Sequence, residues 1–256
     1  MADWNPTQYL KFADERTRPA RDLLAQVPLK EAKLVYDLGC GPGNSTELLV
    51  EAFPQAQIIG VDNSPEMLTK ARMTLPALRF EETDLNNWLP APDADVLYSN
   101  ATFQWLPNHL AVLQKLLGGL KPGGVLAVQM PDNLVEPSHV LMGEAAQNAR
   151  YADKLRKATA ARAMLPTPGH YYAALKPLCS RLDIWHTVYN HPLKGVAGIV
   201  EWLTSTGLRP YLEPLSADEQ KDYLARYETA LAKAYPLQDD GTVLLRFPRL
   251  FMVAVK

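Results

Sequence analysis

The 256-residue chain is short of several things, and each shortage removes a class of function. Its two cysteines, Cys40 and Cys179, provide neither a disulfide framework nor a zinc cluster. No apolar run reaches the roughly 20 residues that span a bilayer as a helix. Neither sign of charge prevails: 26 basic residues stand against 28 acidic ones. That balance leaves no basic footprint for nucleic acid and no polybasic run for a lipid surface. The start, Met-Ala-Asp-Trp-Asn-Pro, has no charged head followed by an apolar body, so no signal peptide is expected. These features together point to a soluble cytoplasmic protein. Its length suits one large domain, residues 1–256, and its 47% hydrophobic content suits a sizeable core. There is no internal repeat and no low-complexity linker, and nothing in the sequence speaks to oligomeric state.

Two nucleotide signatures are missing as well. No Gly-Lys-Ser/Thr follows a glycine loop, which excludes a phosphate-gripping P-loop. No G-x-G-x-x-G occurs: counting six from Gly39 lands on Asn44, and from Gly41 on Thr46. That spacing disfavours a nicotinamide dehydrogenase. What stands there is D-x-G-x-G-x-G, with Asp37, Gly39, Gly41 and Gly43 at alternate positions after the apolar run Leu34-Val35-Tyr36. The order is strand, glycine turn, then a helix-like stretch, Ser45–Val50. Glycines let a backbone approach a ligand and take positive φ, and a helix start offers free N–H groups. A carboxylate beside those glycines suits a ligand with a positive end.

Further acids fall at strand ends. The run Gln57–Val61 closes on Asp62, about 20 residues after the glycine turn, the interval at which an acid reaches a ribose diol. Asn63 follows, and Ser64-Pro65 opens a helix as cap and first residue. Met67 on that helix suits either an adenine face or the core. A third strand, Leu78–Glu82, runs to Asp84-Leu85. Asp84 is either an acceptor for an adenine amino group or a turn-former ahead of Asn86-Asn87. A fourth strand, Asp95–Ser99, ends at Asn100-Ala101, with Trp105 just beyond. A helix from His109 to Leu117 leads to Leu120-Lys121-Pro122-Gly123-Gly124 and a fifth strand, Val125–Val128. Cys40 reads either as a small side chain that fits the turn or as a nucleophile.

These segments, in this order, resemble the class I S-adenosylmethionine-dependent methyltransferases. The resemblance implies an α/β fold, a Rossmann-like, seven-stranded, mostly parallel sheet with helices on both faces. It implies S-adenosylmethionine as methyl donor and S-adenosylhomocysteine as product. It assigns cofactor contacts to Asp37, Gly39, Gly41, Asn44, Asp62, Asn63, Met67, Asp84, Leu85, Asn100 and Ala101, and a wall of the reaction chamber to Trp105.

The remainder departs from the common pattern. Residues 1–27 hold Trp4, Tyr9, Phe12, Arg16 and Arg18, with a helix expected from Pro19 to Val27; the segment is either a lid over the pocket or an amphipathic helix on the sheet. Residues about 132–180 and 192–242 are helix-leaning and flank a sixth strand at 182–191. They are expected to form a helical cap near strands five to seven, and Val243–Val255 closes the sheet. No Ser/His/Asp relay is visible. A carboxylate acceptor would need none, since its pKa near ~4 leaves it ionised at neutral pH. Arginine suits such an acceptor because its planar fork meets both oxygens. Among Arg16, Arg18, Arg162 and Arg209, Arg18 and Arg209 are favoured: Arg18 stands before a proline where it adds little to packing, and Arg209, between Leu208 and Pro210, is poorly placed for a helix-surface role. Tyr9, Trp105, His170 and Tyr172 are candidate walls of the acceptor pocket.

Trp4-Asn5-Pro6, Arg16-Thr17-Arg18-Pro19, Phe103-Gln104-Trp105-Leu106-Pro107 and Thr206-Gly207-Leu208-Arg209-Pro210 extend the resemblance to nearly the full length. They resemble the branch of the superfamily that esterifies trans-aconitate, a planar tricarboxylate. A malonyl-type acyl group on a carrier protein, another small acid, and a cofactor-binding module without turnover are the rival readings.

Overall fold

The computed structural model describes residues 13–159, 163–204 and 206–256. Seven strands form one sheet in the order β3-β2-β1-β4-β5-β7-β6. They are β1 (Leu34–Leu38), β2 (Gln57–Asp62), β3 (Arg79–Glu82), β4 (Val96–Asn100), β5 (Val125–Pro131), β6 (Arg181–Lys194) and β7 (Thr242–Val255). The pairs β1–β2, β1–β4, β2–β3 and β4–β5 are all parallel. Helices α2 (Asn44–Ala52), α3 (Pro65–Thr74) and α4 (His109–Gly119) make crossovers between them. The expected α/β architecture is thus present, with its mostly parallel sheet.

β1 and β5 are buried at every position. A parallel strand covered by helices on both faces has no solvent side, so it reads as a continuous apolar run, not an alternation. Asp37 inside β1 and Gln129 inside β5 are the polar exceptions, both with zero exposure. The order reverses direction at β1, which has β2 on one side and β4 on the other. At such a switch point the crevice beyond the strands' carboxyl ends is where open α/β sheets take ligands.

Among the described residues the chain divides into two compact units. The sheet unit comprises Arg16–Pro131, Leu165–Thr187 and Leu250–Lys256. Its core joins Leu38, Val61, Leu97 and Val128 to Leu113, Leu116 and Leu117 of α4. It also holds α7 (Pro168–Leu175), which follows α5 (Pro137–Ala145) and α6 (Ala152–Thr159) in the chain. Tyr171 of α7 gives its hydroxyl to His109 Nε2 at 2.5 Å, while Nδ1 of that ring meets the Leu106 carbonyl at 3.0 Å.

The helical unit takes in Asp132–Met164 and Val188–Arg249. It contains α5, α6, α8 (Gly195–Thr204), α9 (Arg209–Leu212) and α10 (Ala217–Ala234). Its separate core gathers Tyr211, Tyr223, Tyr227, Leu231, Trp202 and Phe247. On α10, Tyr223, Tyr227 and Leu231 recur every four residues and so share one buried face. A capping box, Ser216 with Glu219, starts that helix.

The first described helix corrects one expectation. α1 runs Ala13–Leu24, so Pro19 lies inside it, not at its first turn. An interior proline costs a helix about 3 kcal/mol. Ala20 and Leu23 behind it are 1% and 0% exposed, and Tyr98 donates its hydroxyl to the Ala20 carbonyl at 2.6 Å. Burying one leucine contributes roughly 1.5–3 kcal/mol and such a bond about 1, enough to hold the turn. Trp4, Tyr9, Phe12, Arg162 and the side chain of Arg16 lie outside the described residues, as do residues 1–12 of the expected lid.

Candidate functional site

The glycine turn is built by bonds to its neighbours. Gly39 and Cys40 donate their N–H groups to the Val61 carbonyl at 2.7 and 3.1 Å, which stitches the end of β1 to β2. Gly43 closes a turn on the Cys40 carbonyl at 3.0 Å. Gly39, Gly41 and Gly43 take φ of 71°, 54° and 100°. Gly39 needs its hydrogen twice over: a Cβ there would sit 2.2 Å from Thr102 Cγ2. Cys40 is 3% exposed and packs with Leu68, Ala71 and Phe80. Burial raises its thiol well above the ordinary value, so it fills space and is inert as a nucleophile.

Asp37 lies wholly buried beneath this turn. Its Oδ2 accepts from Ser45 Oγ at 2.8 Å and Thr46 Oγ1 at 2.7 Å, both in the first turn of α2. Burial pushes its carboxyl up to about 6; the two hydroxyls oppose the rise, and Asp62 adds to it. Asp62 at the end of β2 accepts from Gly41 N and Ser64 N, each at 2.9 Å. One carboxylate therefore joins the glycine turn to the start of α3. Ser64 caps that helix by accepting from Met67 N at 3.3 Å. Asn44 and Met67 are half-buried, and Asn63 is exposed.

Asp84 beyond β3 is exposed and accepts from Asn86 N at 2.9 Å and Asn86 Nδ2 at 2.8 Å, the bonding of a turn-former. Leu85 points its side chain into the sheet-unit core, and Lys115 Nζ takes its carbonyl at 3.1 Å.

At the end of β4, Ala101 adopts φ of 57°, a left-handed conformation rare for a residue with a Cβ. Its N–H is held by the Gln129 carbonyl at 2.9 Å and its carbonyl by Gln104 Nε2 at 2.6 Å. Strain of this kind persists where the surroundings over-determine it, and it concentrates at ligand sites. Among the described residues, three buried side-chain oxygens here have no hydrogen-bond partner: Asp37 Oδ1, Asn100 Oδ1 and Gln104 Oε1. All are acceptors. An acceptor-rich recess next to a buried acid fits a ligand that brings donors and positive charge. The residues present thus fit S-adenosylmethionine, with its sulfonium and ammonium groups. Thr102, Ser45, Thr46 and Gln104 belong to this construction but escaped the sequence reading, since only folding shows what they touch.

The residues expected to bind the acceptor are more dispersed. Trp105 is 50% exposed and Tyr172 51%. His170 is exposed, 2.8 Å from the Thr167 hydroxyl that caps α7. The Arg18 side chain is 69% exposed, 3.9 Å from Asp22. Arg209 belongs to the helical unit, where Nε meets Glu213 at 2.6 Å. Tyr9 lies outside the described residues.

A methyltransferase domain family matches residues 35–124, the stretch that carries the glycine turn and strands β1 to β4. The YcgJ protein of Bacillus subtilis superposes with a TM-score of 0.60 at 15% identity, over 93% of this chain and 98% of that one. Phosphoethanolamine N-methyltransferase 2 of Haemonchus contortus, solved with S-adenosylhomocysteine, gives 0.56 at 16% identity, over 93% of this chain and 52% of that one. At such identities the likeness speaks to fold. Fold and acidic glycine turn together define a class I, S-adenosylmethionine-dependent methyltransferase. Trans-aconitate 2-methyltransferase of Rhodopseudomonas palustris strain BisB5 is 61% identical over all 256 residues, covering both chains fully. Those of Afipia carboxidovorans and Agrobacterium fabrum are 56% identical over 100% and 55% identical over 99% of both chains. The chain belongs to the trans-aconitate 2-methyltransferase family.

Proposed function

We propose that this enzyme esterifies one carboxylate of trans-aconitate, giving the monomethyl ester and S-adenosylhomocysteine. The reading rests on full-length identity to enzymes of that name and on the acidic, glycine-rich turn that suits a cationic nucleoside. When bound, S-adenosylmethionine supplies a methyl carbon on sulfur, and the acceptor oxygen takes that methyl while the C–S electron pair stays on sulfur.

The protein's own residues bind and position. Gly39 and Gly41 let the backbone come close. Asp62, once the ligand is in place, offers oxygens to a ribose diol while keeping the turn joined to α3. Asp84 and the Leu85 backbone face the base; Asn63 and Met67 border it, and Asn44 lies beside the turn. Asn100 and Ala101, at the end of β4, face the methyl donor, and Trp105 helps exclude water. Tyr9, Arg18, His170, Tyr172 and Arg209 remain candidates for the acceptor. Holding acceptor and donor in line in a water-poor site is the main catalytic task, because the nucleophile is already an anion. The substrate is thus a small anion; among the described residues, no helix is long and apolar enough to cross a membrane.

The test is transfer of labelled methyl to a panel of di- and tricarboxylic acids and to a malonyl carrier protein, with the ester identified by mass. Trans-aconitate should be the best acceptor. Transfer to the carrier protein alone would replace this reading. The Asp62→Ala enzyme should bind S-adenosylhomocysteine at least tenfold more weakly by calorimetry.

A further inference from the structure

Lys115 gives its charge to backbone and not to a carboxylate. It lies on α4, whose buried face of Val112, Leu113, Leu116 and Leu117 packs into the core of the sheet unit and fixes the helix in place. Its ammonium reaches the turn beyond β3, where Nζ donates to the Leu85 carbonyl at 3.1 Å and to the Asn86 carbonyl at 2.7 Å. Among the described residues it makes no ion pair. The ends of that turn are tied separately. Thr83 N–H donates to the Asp62 carbonyl at 2.9 Å, and the N–H groups of Asn87 and Trp88 return to the Asp84 carbonyl at 3.0 and 3.1 Å. The peptide between Leu85 and Asn86 is gripped on both sides: its carbonyl by Lys115, its N–H by Asp84 Oδ1 at 2.9 Å. Lys115 therefore acts on the Asp84 carboxylate through a single peptide group, and hydrogen bonds joined in series polarise and align one another.

A half-buried ammonium on an exposed turn adds little to global stability, because water serves the same carbonyls nearly as well. Its value lies in direction. Among the described residues, Asp84 Oδ2 and the Leu85 N–H have no hydrogen-bond partner. One acceptor beside one donor matches the amino group and N1 of adenine. It opposes hypoxanthine, which presents a carbonyl and an N–H at those places. Such a reading is sharp only while donor and acceptor keep their setting, and supporting hydrogen bonds enforce it. We propose that Lys115 is a positioning residue for the methyl donor: from α4 it sets the turn at Asp84–Asn86 and so the preference for adenine over hypoxanthine in that nucleoside. This rests on the reading above that Asp84 and the Leu85 backbone face the base, and it adds a residue from a separate element. Lys115 itself touches neither the ligand nor the reacting atoms.

The test uses full-length Lys115→Gln, Lys115→Arg and Asp84→Ala enzymes. Calorimetry gives the affinity of each for S-adenosylhomocysteine and for S-inosylhomocysteine, which carries hypoxanthine. The ratio of the two affinities should fall at least threefold in Lys115→Gln, and KM for the donor should rise by more than kcat changes. Lys115→Arg still donates to both carbonyls, so it should keep the larger part of the preference. A merely structural lysine would weaken both nucleosides alike; a ratio that falls less than threefold in Lys115→Gln overturns the proposal, as does a fall as deep in Lys115→Arg. Should Lys115→Gln lose its fold, reductive methylation of the wild-type enzyme decides. Bound S-adenosylhomocysteine must slow modification of Lys115 more than S-inosylhomocysteine does, and equal rates overturn the proposal. If Asp84→Ala keeps the wild-type preference, the base-site reading itself fails. If Asp84→Ala loses it and Lys115→Gln does not, only this inference fails.

Discussion

Asp37 and Gly39 show how much of this fold is decided by single side chains. Asp37 is shut away from water, and burial raises its carboxyl from 3.8 to about 6. The fold therefore favours its protonated form. Between pH ~4 and ~6 the native state holds more proton than the unfolded one, so stability falls as pH rises through that window. The full change is about 3 kcal/mol, since each pH unit between the two values is worth about 1.4 kcal/mol. Urea unfolding from pH 4 to 7 should show this slope, and Asp37→Asn should flatten it. A wild-type curve that climbs through the same window would refute the buried-acid account. Gly39→Ala would place a methyl 2.2 Å from Thr102 and force a side chain into positive φ. The cost should be about 2–4 kcal/mol, part steric and part backbone. Adding Thr102→Gly should recover the steric part only, and a double variant no better than the single would show that Thr102 is not the obstacle.

At the scale of elements, α10 organises the helical unit through its tyrosines. Tyr227 donates to the Ser138 carbonyl at 2.6 Å and Tyr223 to the Met142 carbonyl at 3.1 Å, so both ends of α5 are bonded to one helix face. Tyr235, just past α10, accepts from Ser138 N at 3.0 Å. The bond to Tyr235 satisfies a backbone N–H at a helix start that has no side-chain cap. Tyr227→Phe should remove a buried hydrogen bond to a carbonyl that keeps its intrahelical partner, and cost about 0.5–1.5 kcal/mol. Hydrogen exchange should quicken in residues 137–145 more than along α10 itself; a uniform rise along both would argue against this anchoring role.

For the whole molecule the chemistry sets the expectation. An acid acceptor is ionised well below neutrality, so methyl transfer requires no general base. With saturating donor and acceptor, kcat should stay level from pH 7 to 9. A steep limb in that range would mean that a side chain must first release a proton, and the acceptor would then not be a carboxylate. None of the five histidines falls in the glycine turn, in keeping with the level profile.

The order of strands and helices, the acidic glycine turn and the acids at strand ends were legible in the chain. They follow from local rules: runs of apolar residues, alternate glycines, a serine ahead of a proline. The same rules misjudged Pro19, because the bond from Tyr98 and the burial of Leu23 act from far along the chain. They also left Asp84 with two roles, since its hydrogen bonding to Asn86 is settled only by folding. Arg249 shows the reason most plainly. In a half-exposed strand, alternation tells which residues face water, but β7 is buried at every position from Phe247 to Ala254. There the pattern loses its period, and only the tertiary neighbours decide that an arginine lies among aromatic rings.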